Sequence, residues 1–453
     1  MAVREIIQVE QKVPILKGIP LSLQHLFAMF GASVLVPILF NSFAGKTVVD
    51  PSLVLLMNGI GTLIYIFVTR GKAPAFLGSS FAFLAPTAAV IAAAVASGQD
   101  SSLGFAHAVG GFVVAGLAFV IVSFIIRFAG RGWISVVLPA AAMGPIVALI
   151  GLELSPVAVG MAFYKDASMA SGVILPINAW ISLFTLAVVV IGSIVFRKLF
   201  AALPVLIGLA AGYLLACVIN LWVPGTVNFG TLGTAQVFAF PKMVFPVFDW
   251  PSIVVILPAA LVVMSEHIGH LFVTGNIVER DLLREPGLHN SMLGDGLSTM
   301  LSGLTGSCPT TTYGENMGVM AITKVYSVWV IGGAAVISIV IAFFGHLSAA
   351  ISSIPTPVIG GISMMLYGVI AASGLRMLIE AKVDYSKSKN LMISALVFVV
   401  GISGGPVNIY GTQLKGMVLA TVVGMGISLV FFVFDKLGWT AEPEVPADKA
   451  AGL

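Results

Sequence analysis

The chain has 453 residues, of which 58% are hydrophobic and only 9% charged, against roughly 25% charged in an ordinary soluble domain. So few charges cannot cover a water-facing surface, and most of the chain is expected to have lipid as its solvent. The net charge of +3 gives no footprint for nucleic acid, and the two cysteines, Cys217 and Cys308, have no metal-ligand spacing.

Residues 1–17 carry Arg4, Glu5, Glu10, Lys12 and Lys17 and read as a cytoplasmic segment. No small-residue cleavage site follows the first apolar run, so that run is expected to stay as a span. A crossing helix needs about 20 mostly apolar residues. Suitable runs lie at 18–45, 51–69, 73–99, 101–126, 132–152 and 167–196, with a seventh inside 199–241. They continue at 250–278, 286–323, 325–375, 390–414 and 416–434. With 286–323 and 325–375 each counted as two, the expected fold is an all-α polytopic protein of about fourteen spans. Its segments are a first seven-span half at 18–223, an extracytoplasmic loop at 224–249, a second half at 250–434 and a cytoplasmic tail at 435–453.

The basic residues orient this layout. With the N-terminus in the cytoplasm, Arg4, Lys12, Lys17, Arg70, Lys72, Arg127, Arg131, Arg197, Lys198, Arg280, Arg284, Lys324, Arg376, Lys382, Lys387, Lys389, Lys436 and Lys449 fall inside. Only Lys46, Lys165, Lys242 and Lys415 fall outside. That asymmetry matches the positive-inside rule and puts both termini in the cytoplasm.

The two halves echo one another. Leu138–Leu152 aligns without gaps on Ile354–Gly368, matching Pro139 with Pro355, Gly144 with Gly360 and Ile146 with Ile362. Weaker echoes pair 58–62 with 295–299, and 25–27 with 270–272. Halves of seven spans must run in opposite directions, and inverted repeats in transporters place the site near the midplane at broken helices. Two broken stretches are expected. One is 75–86, around Gly78-Ser79-Ser80-Phe81; the other is 306–316, around Pro309-Thr310-Thr311-Thr312-Tyr313-Gly314-Glu315. Each reads as a short strand, in spans three and ten, leading into a half-helix whose free amides suit carbonyl oxygens. The plainer alternative is Gly/Ser-rich helix packing.

Intramembrane charges carry the candidate chemistry. A carboxylate at membrane depth is costly unless paired, protonated or wetted. Glu266 shares a helix face with His270, four residues on, while His267 points elsewhere and reads as structural. Glu315 is a second buried carboxylate. Asp295 reads as a holder of helix termini or backbone amides, and Glu153 as lying near the watery end of span five. Uncompensated carboxylates beside a histidine suggest a proton relay. Two carboxylates and free amides would complement uracil, which has two ring N–H donors and two carbonyls, with Phe81 and Tyr313 offering stacking faces. No nucleophile or metal constellation suggests an enzyme, and the few polar span residues cluster at one depth rather than lining a channel.

At these residues the chain resembles the nucleobase–ascorbate transporter family, in particular its bacterial uracil-transporting members. Glu315-Asn316-Met317-Gly318, followed by Thr323-Lys324, fits the family signature, and Gln24-His25 fits a second motif. Leu77–Phe83 and Ser265–His270 look like the family's spans three and eight. The resemblance covers essentially the whole chain. It implies two inverted seven-span repeats, with spans one to four and eight to eleven forming a core domain and the rest a gate domain. It implies proton-coupled symport of uracil across the cell (inner) membrane, with xanthine or another nucleobase as the alternative cargo. Glu266 and Glu315 would bind the base with backbone at Phe81 and Gly314, Ala32 would approach from span one, and Tyr367 would face the site from the gate. His270 would partner Glu266 in proton coupling, supported by Gln24, His25 and Asn316. Relatives that carry purines tend to have Gln where Glu315 stands, which favours a pyrimidine. No cofactor is implied; the expected partners are uracil, the proton, membrane lipid and a second copy meeting at the gate domain.

The charge split predicts labelling. A cysteine at Lys46 or Lys415 should react with an impermeant thiol reagent from outside intact cells, and one at Lys387 should not. The opposite pattern would reverse the orientation.

Overall fold

A computed structural model describes residues 6–165, 169, 172–197, 200–409 and 412–440. Arg4, Lys198, Lys449 and the tail beyond residue 440 lie outside them.

Proline, glycine and short acidic caps divide the apolar runs into helices. α1 (Ile15–Ala44) follows Pro14 and stops at Gly45 with φ 67°, a left-handed C-cap that costs glycine little. α2 (Pro51–Val68) and α4 (Ser101–Ala129) start on Asp50 and Asp100, whose side chains accept from the amides of Ser52 and Ser102. Between them lie β1 (Leu77–Ser79), a 3-10 turn at Phe81–Phe83 and α3 (Leu84–Ala96). The first half continues with α5 (Gly132–Val137), α6 (Ala140–Phe163), α7 (Pro176–Val195) and α8 (Pro204–Asn220), then the single turn α9 (Gly230–Gly233). The second half begins with α10 (Trp250–Val278), capped by Asp249 through Ser252, and α11 (Leu288–Thr305). β2 (Thr310–Thr312) and α12 (Gly314–Thr323) follow, then α13 (Val328–Ile341), α14 (Gly345–Ser352) and α15 (Thr356–Glu380). The chain closes with α16 (Ser388–Ser403), the hairpin β3 (Val407–Ile409) and β4 (Thr412–Leu414), and α17 (Gly416–Lys436).

Among the described residues, eight helices are long and apolar enough to cross a membrane: α1, α2, α4, α6, α7, α10, α15 and α17. Four shorter apolar helices span Phe81–Ala96, Pro204–Asn220, Val328–Ile341 and Ser388–Ser403. Two expected boundaries move. The run 390–414 is helical only to Ser403 before the hairpin. The run 132–152 breaks at Pro139 and its helix extends to Phe163, so Glu153 is mid-helix rather than at a watery end. There its Oε2 accepts the Met417 amide at 2.9 Å, serving the N-terminus of α17.

The helices sort into two groups by packing. α1–α4 and α10–α13 pack chiefly with one another, and so do α6–α8 and α15–α17. In the second group α6 and α15 run antiparallel at backbone distance. A Cβ on Gly151 would lie 2.0 Å from the Tyr367 carbonyl, and one on Gly360 would lie 2.4 Å from the Ala162 amide. Small residues permit such approaches in membranes, where packing rather than water drives association. The two segments that echo one another in sequence therefore sit on facing helices.

In the first group β1 and β2 pair antiparallel, Leu77 with Thr312, Gly78 with Thr311 and Ser79 with Thr310. Strand edges at this depth need partners, and they have them. Leu77 N donates to Thr62 Oγ1 (2.9 Å), Tyr313 N to the Phe76 carbonyl (3.1 Å) and Ser80 N to the Pro309 carbonyl (2.8 Å). Tyr313 Oη donates to the Ser79 carbonyl (2.8 Å). The Tyr313 ring lies over Gly78, 2.5 Å from where a Cβ would stand.

At one end of this group the N-terminal segment ties down the exit of α12. Ile7 N donates to the Lys324 carbonyl (3.0 Å), Tyr326 N to the Ile7 carbonyl (2.8 Å) and Val328 N to the Val9 carbonyl (2.9 Å). Arg280 bonds Glu10 at 2.5 Å and holds that carboxyl below the usual range. Lys72 pairs with Glu285 beside it.

These contacts predict that Gly78→Val yields no stable protein in detergent, because the side chain would overlap the Tyr313 ring. Tyr313→Phe should fold but lose about 1–3 kcal/mol by leaving the Ser79 carbonyl unpaired, which a lowered unfolding midpoint would register. Unchanged midpoints for both variants would contradict this account of the crossing.

Candidate functional site

Around the strand crossing, two helices bring ionisable side chains together. α10 presents Glu266 and His270, whose side chains are 18% and 15% exposed, with His270 Nε2 4.0 Å from Glu266 Oε1. That is beyond hydrogen-bond length. The other ring nitrogen is fixed: His270 Nδ1 lies 2.8 Å from the Thr312 carbonyl and 3.1 Å from Thr312 Oγ1. A carbonyl only accepts, so Nδ1 carries the proton and Nε2 is the atom that can exchange one on the Glu266 side. A Cβ on Gly314 would stand 3.7 Å from that Nε2. A larger residue there would intrude on the same space.

α12 supplies Glu315 in its first turn. The amides of a helix's first turn have no partner inside the helix, and its dipole favours a negative charge there. Glu315 lines a cavity of about 160 Å³ with Ala28, Pro204, Gly318 and Ile322. It is also close enough to Glu266 for their charges to interact. The next residue, Asn316, is buried and anchors α12 to α1: its Nδ2 donates to the His25 carbonyl (3.1 Å) and meets His25 Nδ1 (3.2 Å). Gln24 and Ala32 are buried on the same helix. Ser79 Oγ donates to the carbonyl of Ser33 at 3.2 Å, which seats β1 against α1 beside Ala32.

Phe81 begins the turn after β1 and meets Tyr367 of α15 edge to face, with ring centroids 6.1 Å apart. This contact joins the two helix groups. Tyr367 is buried, and its hydroxyl has no aligned partner, with only Ser363 Oγ close by a turn back.

Two sequence readings need correction. Tyr313 is not a free stacking face: its ring is taken up by Gly78 and its hydroxyl by Ser79. Asp295 does not hold backbone amides. Its Oδ2 lies 2.9 Å from His267 Nδ1, both side chains fully buried, while His267 Nε2 meets Ser291 Oγ at 2.7 Å and Tyr65 Oη meets the same hydroxyl at 2.7 Å. This chain of four residues is separate from the Glu266–His270 pair, although the two histidines are three residues apart. Sequence reading also missed Thr312 as the anchor of His270. The threonine run was visible as a strand, but nothing in it marked which carbonyl would face α10. Among the described residues no group of histidine, cysteine or carboxylate side chains could hold a metal ion.

Comparison with known proteins now adds its weight. Residues 16–408 match the sequence profile of a family described as "Permease family", named for xanthine and uracil permeases. The chain belongs to this family. It is the nucleobase–ascorbate transporter family that the motifs resemble. The chain is 53% identical over 434 residues to the uracil permease of Escherichia coli strain K12, covering 96% of each protein. It is 49% identical over 438 residues to the uracil permease of Paenibacillus larvae, covering 96% of this chain and 99% of that protein. Among solved structures it is similar to the murine anion transporter Solute Carrier 26 family member A9, with a TM-score of 0.70 at 11% identity, over 94% of this chain and 69% of that one; this likeness concerns the fold alone. Permeases are transporters rather than enzymes, and this member is a multi-pass membrane protein.

Proposed function

We propose that the chain carries uracil across the cell membrane together with a proton. The observation that carries this reading is the convergence of Glu266, His270, Gly314 and Glu315 where two strands cross; the relatives named uracil permeases support the cargo. Uracil is a flat ring with two N–H donors and two carbonyls. Glu266 and Glu315 each accept a ring N–H, and backbone amides beside Phe81 and Gly314 donate to the carbonyls. Ala32 and Phe81 bound the ring, and Tyr367 closes it from the other helix group. Gln24, His25 and Asn316 hold α12 in place for this. The coupling proton moves between Glu266 and His270 Nε2, whose 4.0 Å separation closes with a small side-chain rotation.

In this reading the chain has fourteen segments in two inverted halves, 18–223 and 250–434. Strand-plus-helix pairs form the third and tenth segments. The segment 1–17 and the tail 435–453 are cytoplasmic, the linker 224–249 is outside, and the membrane is the inner one. The first helix group is the core, and the second is the gate through which two copies pair.

Competition against labelled uracil uptake tests the site. Methylating a ring nitrogen removes a donor and leaves a buried carboxylate unpaired, at about 1–3 kcal/mol, or roughly five- to hundredfold in affinity. Substitution at ring carbon five removes no hydrogen bond. Hence 5-fluorouracil should compete well, and N-methylated uracils and cytosine poorly. Cytosine presents an amino donor where an amide requires an acceptor. Equal competition by cytosine and uracil would sink this geometry.

The coupling role has its own test. His270→Ala should still bind uracil within several-fold but fail to accumulate it against a gradient in acid-driven vesicles. Normal accumulation by that variant would remove His270 from the proton path.

A further inference from the structure

Residues 237–248, which link the two halves, cross the end of the first helix group as an extended strap. Its backbone is tied in sequence to that group. Gly345 N donates to the Val237 carbonyl (3.2 Å) and Ala239 N to the Phe343 carbonyl (3.0 Å), both in the turn after α13. Lys242 N donates to Asp50 Oδ2 (3.1 Å), the cap of α2. Val244 N donates to the Thr305 carbonyl at the end of α11 (3.1 Å), and Val247 N to the Ala106 carbonyl near the start of α4 (3.0 Å). Pro241 and Pro246 cannot donate, which keeps the strap from acting as an open sheet edge.

With the backbone turned inward, the side chains turn outward. Phe240 is 88% exposed, Phe245 75% and Phe248 60%, and Trp250 follows at the start of α10 with 74%. Phe238 and Phe240 pack against Phe344 and Phe343, with centroids 5.3 and 5.6 Å apart. So many exposed aromatic rings on one short segment are not left to water. Four helix ends fix its level at the edge of the membrane-crossing region, and exposed Leu304, Val336 and Val340 continue it along the helices. We infer that the strap is a lipid-binding surface that seats the first helix group at the boundary between headgroups and acyl chains, where aromatic rings are favoured. The exposed rings take the acyl side of that boundary.

The experiment uses the full chain with Cys217→Ser; Cys308 is fully buried and stays unlabelled. A nitroxide is attached at Phe240→Cys or Phe245→Cys, with Gln99→Cys as an aqueous control, and the protein is placed in phosphatidylcholine vesicles. Collision with oxygen, which partitions into lipid, and with a water-soluble nickel complex reports depth. Oxygen-to-nickel ratios at either strap position should exceed the control by several-fold. Ratios equal to the control at both positions would place the strap in water and overturn the inference. Dipolar broadening between labels of two copies would overturn it in favour of a protein interface.

Discussion

Six residues of extended backbone, β1 and β2, cross fully buried in protein, where unpaired amides and carbonyls cost several kcal/mol each. Much of the first helix group answers that cost. Thr62 reaches from α2 to one strand amide, Thr310 Oγ1 donates to Ser298 Oγ of α11 at 2.8 Å, and the hydroxyl of Tyr313 takes the carbonyl of Ser79. Gly78 has no side chain because the Tyr313 ring occupies its place. Once the strands are satisfied, the turns that follow them aim the start of α3 and the start of α12 at the same space.

The crossing also links the orientation of His270 to strand position. His270 is held by the Thr312 carbonyl, so its free nitrogen faces Glu266 only while β2 keeps its register. A shift of β2 would move that nitrogen and Gly314 together. The second histidine of α10, His267, is locked to Asp295, Ser291 and Tyr65, all four side chains buried. The helix thus carries one imidazole set into a closed network and one left partly open, and the open one is suited to exchange protons with a changing environment. The buried network fixes the rotation of α10 against α2 and α11, and through it the direction of Glu266.

Much of this arrangement was legible in the sequence for local reasons. Pro309 and the threonine run favour extension, and Glu266 and His270 are four apart on one helix. What could not be read depends on which helices meet. No spacing rule joins His267 to Asp295 across a turn of irregular backbone, or Tyr313 to Gly78 across more than two hundred residues. Glu153 was misplaced because its own charge was taken as the end of the apolar run, whereas α6 runs on to Phe163, just before Tyr164 and Lys165. Its partner, the Met417 amide, belongs to a helix on the far side of the chain.

Helix α13 shows how the ends of the group are finished. Its 14 residues rise only about 21 Å, short of the roughly 30 Å hydrocarbon core. At its start the N-terminal segment bonds Val328 and sends Gln11's carbonyl to Ser327 Oγ at 2.6 Å. Just past its end the 237–248 strap bonds Phe343 and Gly345. Each strap lies just ahead of the first helix of its half, α1 or α10, and the two meet α13 at opposite ends. A helix too short to cross alone is completed by extended chain whose own hydrogen bonds point inward. Backbone whose amides and carbonyls are paired on its protein side can extend a short helix without exposing unpaired amides.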